Sequence, residues 1–399
     1  MSLDIFNERG VPLDKQRFTW KELAGPPFSK IDDDAFTRVR VILMNGIMSD
    51  ALRFLHVFGR RNRELRLPLA EVRRVSHHQQ TMVNWLNPPD QSAIETTIGF
   101  EQVAIEVTAA LAQHEPDAYL AQNYRFGLLE DFDHLYRFSA LMDRVEGKDA
   151  NNILQSYTDI QPGRPTAVEH RAPIDDVRRS YDRQRTAPLT KLNALTLVAS
   201  EFQTHDYYMN VGPTFADPVA RMVYAEIASI EEQHVTQYSS LLDPDETWLE
   251  QWLLHEAMQV YNYHSCLEQE SNPRIRGIWQ RFLDYELGQL HVVMEHFKQV
   301  EGRDPAEILP STFPDPIKFT SQREFVRQTL AREVGFRAVG PDLFADGSES
   351  EASRLYRSQL NTPVSPTTVI AAGYRWLPGT ELVSLPAASR VATAPATTH

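Results

Sequence analysis

The chain has 399 residues, of which 42% are hydrophobic and 24% charged, the composition of a globular protein long enough to bury a core without covalent staples. Lys and Arg number 40 against 54 Asp and Glu, a formal charge of −14, so binding through phosphate neutralisation, to nucleic acid or to anionic lipid, is not expected. The single cysteine, Cys266, excludes a disulfide framework and a Cys-rich zinc site.

Residues 1–35 read as polar and irregular, with charges throughout 1–30 and no apolar h-region of a secretory signal. The most apolar early stretch, 41–49, is nine residues long and flanked by Arg38, Arg40, Asp50 and Arg53. A membrane span needs about 20. The expectation is a soluble, cytoplasmic protein with no membrane partner. A buried helix is predicted over 35–58, interrupted at Asn45-Gly46, and a second helical stretch reaches Leu86 before Asn87-Pro88-Pro89-Asp90. Residues 1–88 thus read as an N-terminal extension, 89–302 as a helical bundle and 303–399 as a C-terminal extension.

The middle of the chain predicts three helical hairpins. The first has helices over 92–113, opened by the capping-box pair Ser92 and Glu95, and 117–144, with Glu115-Pro116-Asp117 between them. Residues 145–186 are polar and proline-bounded, a long crossover with at most short helices. The second hairpin has helices over 189–210 and 217–242, broken at Gly212-Pro213 and restarted by Asp217-Pro218. The third has helices over 246–270 and 272–300, with Asn272-Pro273 repeating the cap-plus-proline signal. Beyond Gly302 helix is expected only over 322–333, and the last fifteen residues read as disordered.

Of 13 histidines, two have a carboxylate three residues earlier: His134 after Asp131, and His234 after Glu231. A glutamate lies thirty residues before each of those acids (Glu101, Glu201), and a tyrosine seven before (Tyr124, Tyr224), so both sets repeat at an offset of 100. The midpoint of each thirty-residue interval falls in the hairpin break, at Pro116 and Ala216. A short turn makes its helices antiparallel neighbours, so residues equidistant from it share a height. Carboxylate and histidine at i, i+3 share a helix face. Each hairpin therefore presents two carboxylates and a histidine at one level. Two such hairpins face to face gather four carboxylates, which are tolerable in a core only with compensating charge. Two divalent cations would supply it, and the imidazoles favour transition metals over calcium or magnesium.

Glu101, Asp131-x-x-His134, Glu201 and Glu231-x-x-His234 resemble the ligand set of the ferritin-like di-iron/di-manganese carboxylate superfamily, in which two helices supply a single Glu each and two supply Glu-x-x-His. The resemblance covers residues 92–242, and the long crossover matches that superfamily's topology. It implies an all-α fold, with a ferritin-like four-helix bundle, an additional hairpin (246–300) and irregular extensions. It also implies that these six residues hold two iron ions, or alternatively manganese. The chain departs from the family at Asp131, one methylene shorter than Glu, so Glu130 is kept as an alternate and Asp133 as a weaker one. Glu256 and Glu286 repeat the thirty-residue spacing in the third hairpin, but Gln289 replaces the histidine. They read as a decayed copy or an alternative site with the second hairpin. Tyr124 and Tyr224 are default core residues and candidate electron relays.

The functional expectation is a dinuclear-metal oxidoreductase, using iron, that acts on O₂ or peroxide, with a small organic substrate and an electron donor the sequence does not identify. The alternatives are a di-manganese catalase, a ferroxidase or iron-handling protein, and a metal-free scaffold bundle. Nearly 190 residues outside 92–300 disfavour a ferritin cage, the lone cysteine disfavours a rubredoxin-type iron site, and a homo-oligomer is left open.

Overall fold

The computed structural model describes residues 3–310 and 313–378; the tail expected to be disordered lies outside the described residues. The described chain is all-α apart from one small antiparallel strand pair. In order it forms α1 (Trp20–Ala24), α2 (Ala35–Arg61), α3 (Arg66–Asn84), α4 (Ala93–His114), α5 (Ala118–Glu146), α6 (Asn151–Leu154), α7 (Pro188–Val211), α8 (Pro218–Ser239), α9 (Trp248–Gln269) and α10 (Pro273–Glu301). After these come α11 (Arg323–Glu333), β1 (Arg337–Val339), β2 (Asp342–Phe344), α12 (Glu351–Leu360) and α13 (Pro366–Ala371).

The helix starts follow from the local sequence. Ser92 and Glu95 form a reciprocal capping box on α4. Asp117, Asp217 and Asn272 cap α5, α8 and α10 with their side chains, the last two followed by proline at the first helical position.

Four hairpins result: α2–α3, α4–α5, α7–α8 and α9–α10. The second and third pack on each other through α4 with α7 and α5 with α8. Helix α2 lies against α4, α7 and α9, and Gln79 of α3 reaches Glu286 of α10. The molecule therefore has two facing hairpin pairs, α4–α5 with α7–α8, and α2–α3 with α9–α10, joined along α2 and α7.

Two expectations change. Helix α2 runs unbroken through Asn45-Gly46. The glycine serves a close approach: a Cβ there would meet Gln203 Nε2 at 2.9 Å and the Ala199 carbonyl at 3.1 Å, and Asn45 Nδ2 donates to Gln203 Oε1 at 2.6 Å. Tertiary packing on α7 outweighs the weak helix preference of Asn-Gly. The C-terminal extension also holds more structure than α11. Helices α12 and α13 are short, and their stability comes from Ser350 and Ser365 caps and from anchoring contacts such as Thr367 N to Glu226 Oε2 (2.8 Å).

By length and apolar content α2 is the one described helix that passes for a membrane span. It is buried among three helices here, and its buried Arg38 and Arg40 pair with Asp33 (2.8 Å) and Glu270 (2.9 Å), as suits a core helix.

Candidate metal centre

Near the middle of α4, α5, α7 and α8, the residues Glu101, Asp131, His134, Glu201, Glu231 and His234 converge, each at most 1% exposed. The two imidazole rings face one another with centroids 6.0 Å apart. Glu231 stands between them, Oε1 3.1 Å from His134 Nδ1 and Oε2 3.3 Å from His234 Nδ1. Asp131 Oδ1 lies 3.2 Å from His234 Nδ1, and Glu201 Oε2 3.7 Å from it. Donor atoms of Asp131, Glu201, Glu231 and His234 all fall within 4.8 Å of one another, as do those of Glu101, His134 and Glu231. Two groups capable of holding a metal ion thus share one carboxylate.

The carboxylates are poorly served by hydrogen bonds. Both oxygens of Asp131 and of Glu201 are buried without a hydrogen-bond donor, as is Glu101 Oε2. Glu101 Oε1 accepts one bond, from the Tyr208 hydroxyl at 2.5 Å. Burial pushes the Glu101 and Glu201 carboxyls well above the usual range and Asp131 upward, only partly opposed by the histidines. At Glu231 burial is outweighed by hydrogen bonds from His134 and His234, which hold it well below that range. Burial would lower both histidines, but the surrounding carboxylates raise them well above their ordinary value. Such a donor set, oxygen and imidazole nitrogen converging with orphaned anionic oxygens, fits divalent transition metals.

The outer nitrogen of each imidazole is also engaged. His234 Nε2 is hydrogen-bonded to Glu130 Oε2 at 2.8 Å, and His134 Nε2 to Glu169 Oε2 at 3.0 Å. This leaves Nδ1 of both rings aimed at the centre, the arrangement by which an outer carboxylate fixes the orientation of a ligating histidine. Glu130 is therefore not interchangeable with Asp131. Its Oε1 accepts from Arg164 (3.0 Å) and Arg171 (2.5 Å), and its position behind His234 takes it out of either ligand group. Burial is outweighed there by Arg171, His234 and Arg164, which hold Glu130 well below the carboxylate range. Asp133 points outward, accepting from Gly163 N, Thr166 N and Arg137.

Glu169 comes from the crossover, which α5 and α8 hold tightly. Asp133 grips the backbone at 163–166, and Gln233 of α8 takes Arg171 N (2.8 Å) and donates to the Glu169 carbonyl (3.2 Å). Gly163 is required by this contact, since a Cβ would lie 2.4 Å from the Leu129 carbonyl. Burial pushes Glu169 up to about 8, against the opposing pull of His134.

The other alternates and the tyrosines go elsewhere. Glu256 and Glu286 do not join Glu201 and Glu231; they lie in the α2–α3/α9–α10 core. Trp252 Nε1 donates to Glu256 Oε1 (3.0 Å) and Gln79 Nε2 to Glu286 Oε1 (2.8 Å), and the second oxygen of each is buried without a donor. Gln289 bonds Gln79, Ser76 and Gln16. The Tyr224 hydroxyl pairs with Thr97 (2.6 Å), and that of Tyr124 has no hydrogen-bond partner, so neither bonds a cluster carboxylate. His255, which has Trp252 and not a carboxylate three residues before it, pairs with Asp50 of α2 (3.3 Å).

Sequence reasoning missed Tyr208 and Glu169. Tyr208 carried a signal, lying two turns after Glu201 on the same helix. Glu169 carried none, because the crossover has no periodicity. The chain has no significant match among protein families, curated proteins or solved structures, so its geometry stands alone.

Proposed function

We propose that this chain is a dinuclear-metal oxidoreductase of the ferritin-like carboxylate kind, using iron, or manganese in its place, to activate O₂ or peroxide. The observation that carries the reading is Glu231 set between two inward-facing Nδ1 atoms, among buried carboxylate oxygens without donors. Asp131, Glu201, Glu231 and His234 would hold one ion; Glu101, His134 and Glu231 the other. The second group offers fewer protein donors, which leaves it the better place for an exogenous ligand. Bound metals of this type supply redox chemistry toward oxygen.

The chain's own residues define what surrounds that chemistry. The described helices and the crossover bury the centre and keep bulk water from it. Glu130 and Glu169 orient the imidazoles, and the Tyr208 hydroxyl, its oxygen 2.5 Å from Glu101 Oε1, donates its proton to that carboxylate and orients it. A small organic substrate and an external electron donor are part of the proposal, and a cytoplasmic setting suits a reducing supply.

Metal analysis of protein expressed with both iron and manganese available tests the reading. Two equivalents are expected. Glu231→Ala should abolish binding of both ions, and with it O₂- or peroxide-dependent turnover, while circular dichroism stays helical. His255→Ala should retain both ions. Fully metallated protein that consumes neither O₂ nor peroxide under reducing conditions would end the oxidoreductase proposal; absence of metal would end the proposal as a whole.

A further inference from the structure

On the outer side of α5 the crossover and the C-terminal segment close over a small cavity. Phe126 and Glu130 of α5, Arg164 and Arg171 of the crossover, Arg337 of β1 and Arg357 of α12 line it. Its free space is about 10 Å³, room for one water-sized particle.

The donors around this space outnumber the acceptors. Arg164 is 1% exposed and lies over the Phe126 ring, with Cζ 3.9 Å from the centroid. Stacking serves the face of a guanidinium, but its N–H groups point outward in its plane. Arg164 Nη1 donates to Glu130 Oε1 and to the Phe126 carbonyl (2.8 Å); its Nε and Nη2 have no acceptor. Arg171 donates through Nη1 to Glu130 and through Nε to Asp176 (2.8 Å), and its Nη2 has no acceptor. Three buried guanidinium nitrogens therefore lack partners beside one cavity.

Water is a poor filler for such a place. It would accept from the arginines but bring two hydrogens of its own. Glu130, which lines the cavity, already takes Arg164 and Arg171 on Oε1 and His234 on Oε2. Glu349 at the rim is engaged by Arg357. An anion needs donors only, and Arg337 adds positive charge at the rim. We propose that this pocket binds a single monatomic monovalent anion, of chloride size, between Arg164 and Arg171. The same two cations hold Glu130 behind His234, so the anion and the metal centre share their supporting charge.

Crystals of the full chain, loaded with manganese and grown with bromide in place of chloride, test this directly. A bromide anomalous peak is expected between Arg164 and Arg171. In solution, replacing gluconate by chloride at constant ionic strength should raise the melting temperature. Formate, with three heavy atoms, exceeds the space and should give a smaller shift in the same assay; an equal or larger one would overturn the assignment to halide. Arg337→Ala, which leaves Arg164 and Arg171 in place, should weaken apparent chloride affinity several-fold. A peak-free pocket, or bromide density with a melting temperature indifferent to both anions, would overturn the proposal and leave water or an adventitious ion.

Discussion

The α4–α5/α7–α8 core and the α2–α3/α9–α10 core bury acids at matching heights of similar hairpins, yet they hold them by different means. In the first, two histidines stand at i+3, and both oxygens of Asp131 and of Glu201 and one of Glu101 lack donors. In the second, Gln289 replaces the histidine, and amide and indole N–H groups from Gln79 and Trp252 meet one oxygen of each carboxyl, leaving Glu256 Oε2 and Glu286 Oε2 without a donor. The remaining charge is removed by a proton: Glu256 is pushed up to about 7 by burial, and Glu286 well above its ordinary value by burial and by Glu256 beside it. A buried acid pair can be neutralised by protons or by cations, and the residue at i+3 is where the two cores differ. Imidazole offers a lone pair to a cation, whereas a carboxamide offers hydrogen bonds to a neutral acid.

The comparison breaks most readily on metal. Ions that bind the folded centre and not the unfolded chain stabilise by linkage, about 2.7 kcal/mol for each site at a hundredfold excess over its Kd. Two sites should raise the melting temperature by roughly 6 °C. Calorimetry before and after chelation checks this, and an unchanged transition would put both cores in one class.

Next in size is pH. Glu256 has an ordinary value near 4.5 and a folded value of about 7, so the native state binds more protons between those limits. Stability from this group is full below pH 4.5 and falls as pH rises through 7, by about 3 kcal/mol. Protons compete with metal for the first core, which therefore weakens in the opposite direction, as pH falls. Denaturant unfolding of metal-free Glu256→Gln should lose the share of the slope that Glu256 contributes between pH 4.5 and 7, with Glu101, Glu169, Glu201 and Glu286 keeping theirs, and be more stable than the wild type at pH 8.

The outer carboxylates give a smaller effect. Glu169→Gln leaves every proposed ligand in place but weakens the partner of His134, so metal affinity should fall by about 10- to 100-fold. Competition with a chelator of known affinity measures it. Smallest is Tyr208→Phe. Losing its bond to Glu101 should cost about 1–2 kcal/mol of stability in the metal-free protein, read by denaturant midpoint, with less effect once a cation faces Glu101. Loss of equal size in both states would mean that the hydroxyl serves packing alone.

The sequence by itself determined the all-α class, the stops and caps of the long helices, and the level at which Glu101, Asp131, His134, Glu201, Glu231 and His234 meet. These follow from local rules: i, i+3 places side chains on one face, and distance from a turn sets height in a hairpin. Only the tertiary structure decided which hairpins face each other, and so sent Glu256 and Glu286 to the α2–α3 side. It also turned Glu130 outward, since three helical steps carry Asp131 and His134 onto one face while position 130 meets the arginines of the crossover. Glu169, Asp50 beside His255, and Gln203 beside Asn45 and Gly46 come from distant parts of the chain. Their partners are chosen by packing across elements, a relation that spacing along one helix cannot encode.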